Sequence, residues 1–117
     1  ALACSDFNGD GRPDFLVGIN NGELLAFTNR RTPSAAVLRL QGEGGNPSVT
    51  GARVTLVSKD GTRVQEVYQG GGYLSQSTPS IFLDSGVTRV EVVWPDGSSS
   101  SHPVDPATRE TVISVPE

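Results

Sequence analysis

The sequence predicts an all-β fold, and three observations support this prediction. Helical periodicity is almost absent from the 117 residues, and the apolar residues come in short runs with two-residue alternation. Glycine and proline, with 14 and 8 residues, separate these runs. Asx-Gly pairs, which supply the positive φ of tight hairpin turns, occur in "NNG" at 20–22, "KDG" at 59–61 and "PDG" at 95–97. Together these features predict successive antiparallel hairpins.

The alternating runs predict strands along the whole chain. We place them near Leu2–Ser5, Asp14–Ile19, Leu24–Thr28, Ala36–Gln41, Ala52–Ser58, Val64–Tyr68, Ile81–Leu83, Thr88–Trp94, Ser99–Val104 and Thr111–Val115. In "ARVTLVS" and "TRVEVVW", apolar residues alternate with charged or hydroxyl residues. Each of these strands should therefore have one buried and one wet face, as in an antiparallel β-sandwich.

A boundary is predicted at "NRRTPSAA", residues 29–36, which combines charge, proline and small polar residues. It divides the chain into a hairpin segment, residues 1–32, and a self-contained set of strands, residues 36–117. Because an isolated hairpin is at best marginally stable, we expect the first segment to dock on the second or to extend one of its sheets. Edge strands left over from this arrangement could also pair two copies into a homodimer.

Charge and composition exclude some partners. The formal net charge is −4, whereas a nucleic-acid partner normally needs a basic face. No apolar run reaches the roughly 18 residues of a transmembrane helix, so membrane insertion is not expected. The single cysteine, Cys4, is predicted to be a small buried core residue, with a disulfide to a partner outside this sequence as the alternative.

The stretch "DFNGDGRPDF" predicts a calcium site. Oxygen-bearing side chains recur at alternate positions of a short glycine-containing loop, and hard oxygen ligands are those that Ca²⁺ takes. Three carboxylates in so small a loop repel one another unless a cation neutralises them. The predicted ligands are Asp6, Asn8, Asp10, the backbone carbonyl of Arg12, and Asp14.

The flanks of this loop exclude an EF-hand. An EF-hand would place a bidentate glutamate at its twelfth position and then continue as a helix. The corresponding residue here is Val17, within the strand-like run "DFLVGI". The loop therefore joins two strands, and the alternative to an ion site is a solvated acidic β-turn.

The run "DFNGDGRPDFLVG" resembles the DxNxDGxxD calcium loop of FG-GAP/VCBS-type repeats, which form the blades of integrin-like β-propellers. The resemblance covers residues 3–29, about one blade, and the family's five ligand positions fall on the five residues named above. It implies a calcium-loop β-hairpin that corresponds to part of a propeller blade, within a fragment of a larger protein.

The second segment resembles the ASPIC/UnbV domain, which follows such propellers. The matching runs are "GARV" at 51–54, "GYLSQ" at 72–76 and "VVWPDG" at 92–97. The family usually carries a Phe-Gly-Leu-Gly-like stretch after the Ser-Gln run, and this chain has "SIFLDSG" there instead. The resemblance implies an extracellular or cell-envelope protein and assigns no activity to the domain.

Two aromatic residues and the single histidine are candidates for a functional role. Trp94 is predicted to be a core residue, and its alternative role is a sugar-stacking platform. Tyr73 could lie on a partner surface or cover one end of the core. His102, in "SSSSHPVDP", is predicted to be a surface strand residue, because neighbours along one strand point to opposite faces and do not form a triad.

These features predict a non-enzymatic, calcium-binding, extracellular structural or adhesion module with a protein or glycan partner. The alternative is a carbohydrate-binding module that uses exposed aromatic residues. A hydrolase is a third and weaker hypothesis, which would need an acidic or nucleophilic residue beside His102 in space.

Overall fold

The computed structural model describes residues 1–31, 36–72, 74–105 and 107–117, and these residues form an all-β fold without a helix. Every predicted strand is present, with its ends displaced by a few residues at most. The strands are β1 (Leu2–Ser5), β2 (Asp14–Gly18), β3 (Leu24–Phe27), β4 (Ala36–Gln41), β5 (Arg53–Ser58), β6 (Gly61–Glu66), β7 (Ile81–Leu83), β8 (Val87–Val93), β9 (Ser99–Pro103) and β10 (Glu110–Ser114).

Half of the predicted boundary, residues 32–35, lies outside the described residues, because the description stops at residue 31 and resumes at residue 36. Tyr73 is outside it as well. A membrane-spanning helix is not found in the part of the chain that the structure describes.

The first three strands form an antiparallel sheet of order β1-β2-β3. The β2–β3 turn contains Asn21 with φ 56°, a conformation that asparagine adopts more readily than most residues. The register places Phe15 beside Cys4 on one side and Phe27 on the other, so all three side chains share one face of the sheet. This sheet is the predicted hairpin segment.

The other strands form two sheets, of order β10-β4-β7 and β6-β5-β8-β9. The second is antiparallel throughout, with a register shift between Val57 and Ser58. In the first, β10 pairs with β4 in parallel, from Glu110 opposite Val37 to Ser114 opposite Gln41. The prediction of purely antiparallel pairing was therefore wrong, because the strands that pair in parallel are distant in sequence and no turn between neighbours fixes their direction.

One apolar core joins these two sheets face to face. Alternation along β5 and β8 turns every second side chain inward, as the sequence predicts. The other sheet contributes residues from all three of its strands. The core consists of Leu38, Val49, Ala52, Val54, Leu56, Val67, Ile81, Leu83, Val87, Val90, Val92, Trp94 and Ile113.

Trp94 lies in this core with 1% of its surface exposed, which confirms the core interpretation. Its indole Nε1 donates a hydrogen bond to Ser100 Oγ at 2.9 Å, so the one polar atom of the ring is satisfied. A ring buried in this way cannot act as a platform for a sugar, and that alternative role of Trp94 is wrong.

The hairpin sheet contacts the sandwich through the backbone of β1. Cys4 N donates to Ser77 Oγ at 3.0 Å, and Thr78 N donates to the Cys4 carbonyl at 2.9 Å. Two hydrogen bonds therefore attach the hairpin beside the strand that leads into β7. The sheet remains open on its other side, where all four residues of β3 are exposed.

We predict that Trp94→Ala lowers the free energy of unfolding by about 3–5 kcal/mol, because it removes the largest side chain of the core and leaves a cavity. Urea denaturation followed by circular dichroism measures this loss. The wild-type fluorescence should also be blue-shifted and resist quenching by iodide. Val64→Ala, on the exposed strand β6, is the control. Emission typical of an indole in water would contradict the assignment.

Candidate functional site

The acidic loop between β1 and β2 folds around its own backbone amides. Asp6 accepts hydrogen bonds from Asp10 N at 3.1 Å and from Gly11 N at 2.8 Å. Asn8 Oδ1 accepts from the same Asp10 N at 3.2 Å. Side-chain oxygens of Asp6 and Asn8 therefore converge on one N–H group inside the loop.

Asp14 closes the loop onto the hairpin. It is fully buried, and its two carboxylate oxygens accept hydrogen bonds from Phe7 N at 3.3 Å and Asn29 N at 2.8 Å. These bonds connect the start of the loop with the chain that follows β3. Burial of the carboxylate is tolerated because both of its oxygens have donors.

Asp10 faces a cation supplied by the protein itself. Arg12 donates to Asp10 Oδ2 from Nε at 2.9 Å and from Nη2 at 2.5 Å. The third nitrogen, Nη1, donates to the backbone carbonyl of Arg31 at 2.7 Å. The hydrogen bond from Arg12 lowers the pKa of Asp10, and the same bond with Asp10 raises the pKa of Arg12.

The negative charges of Asp14 and Asp6 also raise the pKa of Arg12. All three carboxylates of the loop thus act on one positive charge. Among the described residues, no three Asp, Glu, His or Cys side chains gather closely enough to hold a metal ion. The Asp10 carboxylate contacts the Arg12 guanidinium, whereas the Asp6 and Asp14 carboxylates are bound by backbone amides.

The structure therefore brings the five predicted ligand residues into one loop, with Asp10 engaged by an arginine side chain. The sequence interpretation considered only the carbonyl of Arg12 and missed its guanidinium. The sequence did indicate this role of the guanidinium, because Arg12 is the only cationic residue within the acidic run from Asp6 to Asp14.

Cys4 lies at the margin of the fold. It is a free thiol, half-buried, so its prediction as a buried core residue was wrong. Desolvation by burial raises its pKa, and the negative charge of Asp14 raises it further. It lies on the outer strand of the hairpin sheet, where packing against the sandwich covers only part of the side chain.

A cleft separates β1 from the sandwich, with a volume of about 520 Å³. Its lining includes Cys4, Gln65, Tyr68 and Ser77. Tyr68 is 66% exposed. The sequence interpretation missed this tyrosine and considered Tyr73 instead, although both flank the same "QGGG" run, a glycine cluster that lets a ring approach the backbone closely.

His102 lies on β9, an edge strand of its sheet, as predicted, and it is partly exposed there. Its Nε2 lies 2.9 Å from Ser100 Oγ, two residues away on the same face of β9. The same Ser100 oxygen accepts the hydrogen bond from the buried Trp94 indole. No carboxylate forms a hydrogen bond with His102 among the described side chains, and the Ser100–His102 pair anchors the core tryptophan at the sheet edge.

A family model described as ASPIC and UnbV matches residues 42–117. The matched segment runs from the end of β4 through β10 and contains most of the sandwich core. A comparison with curated proteins found no match.

We predict that the rate at which Cys4 reacts with iodoacetamide rises with pH, and that the midpoint of this rise lies at a higher pH than for an ordinary cysteine thiol. The ordinary midpoint is the thiol pKa of about 8.5. The thiolate is the reactive form, and the raised pKa of Cys4 reduces the thiolate fraction at neutral pH. Alkylation rates measured by mass spectrometry against pH check this expectation. The same protein in concentrated urea is the control and should show the ordinary midpoint. Equal profiles in the two conditions would contradict it.

Proposed function

This chain belongs to the ASPIC and UnbV family, and we propose that it is a non-enzymatic, calcium-stabilised structural or adhesion module of an extracellular or cell-envelope protein. The observation that supports the proposal is the geometry of the loop, in which Asp6 and Asp14 accept hydrogen bonds from backbone amides and Asp10 is held by a positive charge. A loop built in this way requires a cation, whether the cation is a side chain or an ion.

The donors of the loop fit calcium in their chemistry. Carboxylates, an amide oxygen and a backbone carbonyl are hard oxygen ligands, and the loop contains no nitrogen or sulfur ligand that would favour zinc. The ion would be held by Asp6, Asn8, Asp10, the carbonyl of Arg12, and Asp14. It would supply charge neutralisation and crosslink the loop.

The Arg12 guanidinium is the stand-in for that ion in this structure. Asp10 can serve as a ligand only if Arg12 releases its carboxylate, because two nitrogens of the guanidinium contact the same Oδ2 atom. The resemblance of the loop to FG-GAP/VCBS-type repeats supports the same reading and makes residues 1–32 a partial propeller blade.

The hairpin sheet supports a structural role. Four of its large apolar side chains share one face of the sheet and remain exposed, in contrast to the sandwich core: Leu2, Phe15, Leu25 and Phe27. Contiguous exposed apolar side chains on a small sheet are typical of a surface that packs against another protein layer. A neighbouring sheet, in the same protein or in a second copy, would cover them.

We predict that Ca²⁺ binds with a dissociation constant of about 10⁻⁴–10⁻³ M, the range of extracellular modules, and more tightly than Mg²⁺. At about 100 times this constant, the free energy of unfolding should rise by roughly 2.7 kcal/mol if the unfolded chain does not bind. Titration calorimetry measures the affinity, and thermal unfolding in calcium against chelator measures the gain.

Asp10→Asn should remove both effects, because it exchanges a charged ligand for a neutral one. Asp60→Asn, in the exposed β5–β6 turn, is the matched control and should leave both unchanged. Equal melting temperatures of the folded wild type in calcium and in chelator would show that the loop is a solvated turn held by Arg12.

We predict that Arg12→Gln strengthens Ca²⁺ binding by about fivefold, the size of effect that a single surface ion pair has. The substitution removes the positive charge that competes for Asp10. In chelator the same variant should melt below wild type, since the carboxylates then repel one another without compensation. Arg39→Gln removes a more exposed arginine that is also ion-paired, with Glu110, and is the control. Unchanged affinity in Arg12→Gln would show that the guanidinium does not compete with the ion.

A further inference from the structure

We propose that the cleft beside Tyr68 binds a short neutral saccharide. This site is separate from the acidic loop, and it does not depend on whether calcium binds. The cleft volume of about 520 Å³ lies within the range of small-molecule sites, roughly 300–1,000 Å³. Four features of its walls point to a sugar.

The first feature is the position of the Tyr68 ring. The residue before it, Val67, is buried and extends the β5–β6 pairing, since Val67 N donates to the Ala52 carbonyl and its own carbonyl accepts from Gly51 N. The edge of the ring meets Gly71, where an added Cβ would stand 2.1 Å from Cε2, 2.9 Å from Cδ2 and 3.2 Å from Cζ. The backbone thus supports the ring at its edge, while 66% of the residue stays exposed.

A supported aromatic ring with an open face suits a pyranose. The C–H groups on one side of such a sugar carry partial positive charge, and they match the negative face of the aromatic quadrupole. A ring already held in place also loses little conformational entropy on binding.

The second feature is the rigidity of the turn that carries Gly71. Gln76 Oε1 accepts a hydrogen bond from Gly70 N at 2.6 Å, and Gln76 Nε2 donates to the Ser77 carbonyl at 2.9 Å. Gly72 and Ser75 form a backbone bridge within the same turn. The side-chain amide of Gln76 therefore holds the backbone beside Tyr68 in place. The position of the ring is thus set before a ligand binds.

The third feature is a set of uncommitted polar groups. Gln65 and Ser75 line the cleft, and their side chains make no hydrogen bond with other described residues. Ser77 Oγ accepts from Cys4 N, which leaves its hydroxyl hydrogen available. Amide and hydroxyl groups both donate and accept, as the hydroxyl groups of a sugar require.

The fourth feature is charge. No lysine, arginine or histidine is among the described residues that line the cleft. Its one carboxylate side chain, Glu66, is engaged by Arg53 at 3.2 Å. The nitrogen of Ala1, which also lines the cleft, donates to the Gly18 carbonyl at 2.9 Å. The described lining thus offers no cationic side chain to an acidic saccharide, so a neutral sugar is the class it fits.

The experiment is a titration of the folded, ¹⁵N-labelled chain with cellohexaose, laminarihexaose, mannohexaose and xylohexaose, followed by amide chemical shifts. At least one of these neutral probes should give saturable shifts at residues 68–72 and 75–78, with a dissociation constant of about 1 mM or below. Tyr68→Ala should weaken binding at least tenfold, and Tyr68→Phe should retain it within a few fold because the ring remains. Gly71→Ala should also weaken binding, because the added methyl group displaces the Tyr68 ring without removing it.

Phe7→Ala removes an exposed aromatic residue outside the cleft and is the matched control, expected to bind as wild type does. Absence of shifts with all four probes up to about 10 mM would overturn the proposal, as would equal binding by wild type and Tyr68→Ala. Tighter binding of a hexamer of galacturonic acid would overturn the neutral class. Calcium titration of the same sample reports on the loop alone, so failure of one proposal is distinguishable from failure of the other.

Discussion

The burial of one sheet's apolar face by another is the constraint on which the rest of this molecule depends. The central strands β5 and β8 bury alternate valine and leucine side chains, each worth about 1.5–3 kcal/mol, against β4, β7 and β10. The edge strands β6 and β9 of the four-stranded sheet are more polar, and β6 holds the layers together in another way. Arg63 on β6 donates to the Phe82 carbonyl at 3.0 Å and contacts Asp84 at 3.4 Å, so a single side chain closes the side of the sandwich between β6 and β7.

Charge compensation governs the acidic loop in the way that apolar burial governs the sandwich. The loop satisfies the oxygens of Asp6 and Asp14 with backbone amides, and these bonds keep the carboxylates close together. Their mutual repulsion is offset by Arg12, whose guanidinium also reaches the carbonyl of Arg31. One arginine thus links the electrostatics of the loop to the chain that leads toward the sandwich. A calcium ion at Asp10 would compete for the same arginine contact.

Local patterns were sufficient to predict the strands and the inward position of Trp94, because two-residue alternation reports directly on which face is buried. They were insufficient for the β4–β10 pairing, which joins residues far apart in sequence without a turn to set direction. They also misplaced Cys4, since burial at a sheet margin depends on the neighbouring layer. The side-chain role of Arg12 and the Tyr68 platform escaped prediction because both depend on contacts in space, with the Arg31 carbonyl and the Gly71 backbone.

The parallel pairing of β4 with β10 has a consequence for the order in which the chain folds. Strand β4 precedes the matched family region, and its parallel partner is the last strand of the chain. The antiparallel unit of β5, β6, β8 and β9 connects through near neighbours and can form early, whereas closing β4 onto β10 encloses almost the entire sandwich in one loop. During synthesis, β4 therefore lacks its β10 partner until residues 110–114 leave the ribosome. Until then, the backbone edge of β4 at Leu38 and Leu40 is unpaired. The interval before that closure is when the nascent chain is most exposed to pairing with a strand of another molecule.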